Sequence, residues 1–136
     1  MIKLNGVEIK LDKYPDGTFL FKNIPPIGGW CRDNIEWFFE SMEELTAVEY
    51  ITRYCWDHRV VPNLYMPYIP DARMDRVKHK NELFTLKYFA QTINSLHFGK
   101  VEVLDPHSDV SAALFNKVHV ESPNRMIEDA VKKIAS

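Results

Sequence analysis

Tyr68-Ile69-Pro70-Asp71-Ala72-Arg73-Met74-Asp75-Arg76 and Val103-Leu104-Asp105-Pro106-His107-Ser108-Asp109-Val110 decide how this chain reads. Each follows an apolar run with the character of a buried strand, and each places charged groups where that strand would end. In open α/β sheets, ligands bind outside the carboxyl ends of the strands. Arginines and a carboxylate on one turn, with His107 and Asp105 on another, form a plausible site for a phosphorylated ligand and its metal ion.

Outward from these segments, strands and helices alternate. Asn63 to Ile69 reads as a short strand and Lys100 to Leu104 as the next. Between them, Leu86, Phe89, Ala90 and Ile93 recur at helical spacing over about 83–96, with Gly99 placed as a C-terminal cap. Upstream, Ile35 to Glu40 reads as a strand. Ser41-Met42-Glu43-Glu44 has the form of a capping box, in which Ser41 accepts from the Glu44 N–H and Glu44 reaches back to that of Ser41. The helix it opens runs to about Trp56, with Leu45, Val48, Thr52 and Cys55 on one stripe. Downstream come a short helix near 111–115, a strand near 118–120 and a last helix behind Ser122-Pro123. That helix carries Met126, Ile127, Ala130, Val131 and Ile134 on one side. The alternation predicts a parallel sheet flanked by helices on both faces.

The amino-terminal stretch differs. Ile2 to Leu11 alternates around Asn5-Gly6, a hairpin signal, because a type I′ turn needs positive φ at both central residues. Tyr14-Pro15-Asp16-Gly17 is a second turn, and Thr18 to Lys22 alternates again. The chain therefore opens with antiparallel structure.

The 136 residues suffice for one domain, read as spanning 1–136, with a real core. A net charge of −2 argues against a nucleic-acid coat. No apolar run approaches the roughly 20 residues that span a bilayer. The start of the chain lacks the apolar stretch of a signal peptide. A cytoplasmic protein with reduced thiols is expected, and Cys31 and Cys55 form neither a zinc cluster nor a disulfide framework.

Arg73, Asp75 and Arg76 carry the first chemical possibility. A guanidinium offers a planar fork of donors that suits phosphate oxygens. The plainer alternative is a solvated turn with a local ion pair. Asp105, His107 and Asp109 carry the second. Mg²⁺ takes one or two protein groups plus phosphates and waters. Against that stands a helix cap at Ser108 or Asp109 with a partly buried His107. Lys78-His79-Lys80 reads as a solvated loop. His58, His97 and His119 read as structural or surface residues, and Trp30, Trp37 and Trp56 as core or contact residues. The Gly-x-x-x-x-Gly-Lys phosphate loop, the Gly-x-Gly-x-x-Gly fingerprint and the Gly-x-Ser-x-Gly elbow are all absent.

At these residues the chain resembles ribose-phosphate diphosphokinase, also called phosphoribosyl pyrophosphate synthetase. Pro67 to Arg76 is similar to that family's Pro-Tyr-x-Pro-Tyr-Ala-Arg-Gln-Asp-Arg/Lys segment. Asp105-Pro106-His107-Ser108 is similar to its Asp-Leu-His-Ser/Ala segment, and Phe115 falls at its Phe-Phe pair. Phe84-Thr85-Leu86-Lys87 resembles its Ile-Thr/Ser-Ala-Lys helix start. Tyr14-Pro15-Asp16-Gly17-Thr18 resembles its Phe-x-Asn/Asp-x-Glu turn, and Ser122-Pro123 falls where the family leaves this domain.

The resemblance implies the amino-terminal half of a type I phosphoribosyltransferase-like pair. It implies transfer of diphosphate from ATP to ribose 5-phosphate, with Mg²⁺ as cofactor and a homo-oligomer as the working form. Arg73, Met74, Asp75 and Arg76 would lie against ATP, and His107 with Asp105 would sit at Mg²⁺. Tyr14, Asp16 and Thr18 would reach the adenine of a neighbouring subunit, and 77–81 would match a flexible loop near the site. Met74 stands where the family has glutamine and Thr18 where it has glutamate. The family's second domain, with its acidic pair and Thr-Gly-Gly-Thr loop, its diphosphate loop and its catalytic lysine, has no counterpart here. The 136-residue chain is therefore expected to be inactive alone. A non-catalytic regulatory or oligomerisation module, like the synthetase-associated proteins, is the competing expectation. A metal-dependent hydrolase built on Asp105 and His107 is a third.

Overall fold

The computed structural model describes residues 1–29, 32–68, 85–104 and 118–121. Asn5 and Gly6 both take positive φ, 52° and 80°, as a type I′ turn requires. They join β1 (Ile2–Leu4) to β2 (Val7–Glu8) as an antiparallel pair, with Lys3 opposite Glu8 and Leu4 opposite Val7. The single hairpin expected over 2–11 is interrupted at Ile9. Its N–H still donates to the Ile2 carbonyl at 2.9 Å, but its side chain is buried in the core. The chain then departs from the sheet. β3 (Lys10–Lys13) and β4 (Phe19–Lys22) form a separate two-stranded ribbon, closed by a turn in which the Gly17 N–H donates to the Tyr14 carbonyl at 2.8 Å.

The remaining elements are β5 (Asn34–Trp37), α1 (Glu43–Asp57), β6 (Asn63–Met66), α2 (Thr85–Ser95), β7 (Val101–Leu104) and β8 (Val118–Glu121). The main sheet runs β2-β1-β5-β6-β7-β8. β1 is antiparallel to β5, and β5 through β8 are parallel neighbours. The expected α/β architecture, a parallel sheet with helices and an antiparallel hairpin at its start, is present.

Alternation along each strand defines the two faces of the sheet. Ile2, Leu4, Ile35, Trp37, Leu64, Met66, Val101 and Val103 are buried on one. They meet Ala47, Val48, Ile51 and Cys55 of α1 and Leu86, Phe89, Ala90 and Ile93 of α2. Trp37 shows that both helices lie on that same face. Its indole N–H donates to Glu44 of α1 at 3.4 Å, and its ring lies 6.0 Å from that of Phe89 on α2. The strand order explains this: two successive right-handed crossovers that step the same way must place both helices on one side. The other face carries Lys3, Glu36, Tyr65 and Glu102 in one register row, all half-buried. The helices expected at 111–115 and 122–136 lie outside the described residues.

Element ends depart from expectation in instructive ways. β5 stops at Trp37 rather than at Glu40, and β6 at Met66 rather than at Ile69. The Ser41 hydroxyl makes no cap to α1; Met42 holds the N-cap position with helical φ and ψ. The return half of the expected box does form, with Glu44 Oε1 accepting from the Ser41 N–H at 3.1 Å. After α2 the left-handed residue is His97, φ 51°, not Gly99. Gly99 serves a close approach instead: a Cβ there would stand 2.8 Å from Asn63 Oδ1 and 3.3 Å from an Arg32 guanidinium nitrogen. Asp33, also buried, accepts from the Asn5 side-chain amide at 2.7 Å and from the Gly28 N–H. It thereby ties the Pro-Gly loop to the first turn. No helix among the described residues is long and apolar enough to cross a membrane.

Candidate functional site

β6 and β7 run parallel and in register, Leu64 beside Val101, Tyr65 beside Glu102 and Met66 beside Val103. Both strands therefore finish at the same edge of the sheet. The chain leaves β6 toward Arg73 and leaves β7 toward His107 from adjacent points. Arg73, Met74, Asp75, Arg76, Asp105 and His107 themselves lie outside the described residues, as does the basic run at 78–80. What is described is the frame from which they depart.

That frame has an aromatic border. Trp37, the last residue of β5, is fully buried. Its ring lies 5.8 Å from that of Phe39, which lies 5.7 Å from the ring of Tyr68. Tyr68 is 44% exposed. The series thus leads from the core to solvent beside the exit of β6. Trp37, expected as a core or contact residue, is in the core; Phe39 had no expected role. The pairing of Phe39 with Tyr68 joins separate segments, so no spacing rule could reveal it.

Tyr14, Asp16 and Thr18 do come together, on the tip of the β3–β4 ribbon. Asp16 Oδ1 accepts from the Thr18 N–H at 3.0 Å and from its hydroxyl at 2.7 Å. These bonds hold the Asp16 carboxyl below its ordinary range. The Tyr14 ring is half exposed. Gly17, Thr18 and Phe19 face Glu43, Thr46 and Tyr50 of α1 across a hollow of about 270 Å³. Lys13 pairs with Glu43 and also lies over the Phe19 ring. The tip is thereby held against the start of α1 in its own chain.

Of the other side chains singled out in the sequence, His58 and Trp56 make local structural contacts. His58 Nδ1 lies 2.9 Å from the Tyr54 carbonyl, and its ring lies tilted against that of Tyr54, 4.4 Å away. Trp56 donates to the Leu96 carbonyl at 3.1 Å, linking the far ends of the two helices. Cys55 is a free, buried thiol; burial, with the nearby Asp33 charge, pushes it up to about 11. Among the described residues no three His, Cys, Asp or Glu side chains are grouped so as to hold a metal ion.

No protein-family model matches this sequence, and no curated protein matches it. Among solved structures, the chain is similar to phosphoribosylpyrophosphate synthetase from Mycobacterium smegmatis. The TM-score is 0.67 at 14% identity, over 93% of this chain and 43% of that one. The likeness is one of fold. This chain spans less than half the length of the synthetase chain.

Proposed function

We propose that this chain is the ATP- and Mg²⁺-binding half of a ribose-phosphate diphosphokinase, which transfers diphosphate from ATP to ribose 5-phosphate and releases AMP. One observation carries the reading. The fold matches the synthetase over 93% of this chain but only 43% of the other, and β6 and β7, the strands that precede the two motif-bearing segments in sequence, end side by side. A second half, supplied by further sequence or by another polypeptide, would then hold ribose 5-phosphate. The working form would be a homo-oligomer.

Mg²⁺ suits the donors on offer. One imidazole, His107, and one carboxylate, Asp105, stand in sequence directly after Leu104, the last residue of β7. Mg²⁺ keeps several waters and accepts one or two protein groups beside substrate phosphates. When bound, it would offset charge on the phosphate oxygens. The chain's own part is positioning. Arg73 and Arg76 would hold phosphate oxygens through their planar forks, with Asp75 orienting a guanidinium. Tyr14, Asp16 and Thr18 would serve the base, and Met74 would contribute only apolar contact there. Diphosphoryl transfer asks chiefly for such positioning and charge stabilisation.

The non-catalytic module has one observation in its favour. The Asp16 carboxylate is already engaged by Thr18 within its own turn. Equilibrium dialysis separates the two readings. Saturable, Mg²⁺-dependent ATP binding that Arg73→Ala abolishes is expected for the synthetase half. Absence of any binding would leave the module. With ATP and ribose 5-phosphate together, the 136-residue chain should release no AMP; release would overturn the division of the site between two halves.

A further inference from the structure

Asn5 is the only asparagine in the sequence that a glycine follows. Glycine sets no side chain in the way of its own backbone nitrogen, and a Cβ built at Gly6 would meet nothing within 4 Å. Both residues are exposed in the turn between β1 and β2. The Asn5 amide is nevertheless engaged at its nitrogen and its oxygen. Nδ2 donates to Asp33 Oδ1 at 2.7 Å and to the Pro26 carbonyl at 3.3 Å, and Oδ1 accepts from the Asn34 N–H at 2.9 Å. The Asn5 N–H donates to the Asn34 carbonyl at 2.9 Å. A regular antiparallel pair would return the Asn34 N–H to the Asn5 backbone carbonyl; here the side chain takes that place. Asp33 is 5% exposed, and its carboxylate also accepts from the Gly28 N–H. One amide thus fastens the turn to the start of β5 and to the Pro-Gly loop.

Loss of that amide nitrogen needs no enzyme. The Gly6 nitrogen gives up its proton and bonds to Asn5 Cγ; the Cγ–Nδ2 bond breaks, and Nδ2 leaves with a proton as ammonia. Water then opens the cyclic imide. Its hydroxyl adds to one carbonyl carbon, its proton goes to the imide nitrogen, and the new carboxyl ionises. Opening at Cγ leaves aspartate. Opening at the backbone carbonyl leaves isoaspartate, with one more carbon in the main chain of a tight turn. Aspartate sets an oxygen where a donor had faced Asp33, so two carboxylates meet with no proton between them. Like charge disfavours that arrangement, and Asp33 and the Pro26 carbonyl lose a donor.

We propose that Asn5-Gly6 is a deamidation site, and that Asp33 is the group through which the fold registers the change: the new carboxylate unfastens the β1–β2 turn from Asp33 and the Pro-Gly loop. The inference is independent of the nucleotide reading.

The test exchanges the two side chains. Urea unfolding at pH 7 compares the parent, Asn5→Asp, Asp33→Asn and the two changes together. Asn5→Asp should lower the folding equilibrium constant of the parent roughly tenfold or more. In the Asp33→Asn background it should cost far less, because the amide at 33 then donates to the carboxylate at 5 and the pair is restored with its polarity reversed. An equal loss in both backgrounds, or none in the parent, overturns the proposal. If Asn5→Asp does not fold, the parent aged at pH 8 decides. Peptide mass spectrometry should find deamidation at Asn5 ahead of every other asparagine, and the modified fraction should unfold at lower urea. Deamidation elsewhere first, or a modified fraction as stable as the rest, overturns it.

Discussion

At the scale of single residues, Glu44 shows how a buried charge becomes tolerable. Burial pushes its carboxyl up, but the Met1 ammonium and the Glu40, Ser41 and Trp37 N–H groups together outweigh that and leave it below its ordinary value. The unfolded chain therefore takes up the proton first as pH falls. The stability Glu44 contributes is present above its ordinary value near 4.5 and is lost as pH drops through the lower, folded value. Urea unfolding of the 136-residue chain from pH 7 to pH 3 should show this loss. Glu44→Gln should flatten that part of the profile and cost about 2 kcal/mol at pH 7. Cys55 gives a second expectation. A buried thiol raised to about 11 is almost wholly protonated at pH 8, so a thiol-specific reagent should reach Cys55 only on unfolding. Rapid labelling of Cys55 in the native chain would contradict its placement on the buried face of α1.

At the scale of elements, helix ends carry the least legible features. α1 closes with Arg59 at φ 60°; the Arg59 N–H donates to the Trp56 carbonyl and the Val60 N–H to that of Cys55. Glycine usually takes such a position. Arg59→Gly should therefore stabilise the fold by about 0.5–1 kcal/mol, the left-handed strain relieved less the added freedom of the unfolded chain. Thermal melting reads the sign directly. Nothing in Arg59 or His97 announces that role, because tertiary packing rather than residue preference decides where each helix must turn. The opposite holds at Asn5-Gly6, where local sterics alone specify the turn, and in α1 and α2, where helical periodicity marks the buried faces. Trp37 and Leu64 were recognisable as strand residues. That both described helices share one face followed only from strand order. Glu44 was legible as the return arm of a capping box, but its link to Met1, 43 positions away, had no local signature.

At the scale of the whole molecule, the parallel strands bring separate segments to a common edge. The function proposed above puts nucleotide at the carboxyl ends of β5, β6 and β7, parallel neighbours that finish on the same side of the sheet. The opposite ends, at Asn34, Asn63 and Val101, are three residues back along each strand, roughly 10 Å away. Paramagnetic Mn²⁺ in place of Mg²⁺, added with ATP and followed by amide NMR, distinguishes the two ends of the sheet. The amides of Trp37, Met66 and Leu104 should broaden first, with those of Asn34, Asn63 and Val101 lagging, and the pattern should vanish in His107→Ala. Broadening that begins at Asn34 and Asn63, or an ATP-dependent pattern that never forms, would contradict a nucleotide site at the strand tips.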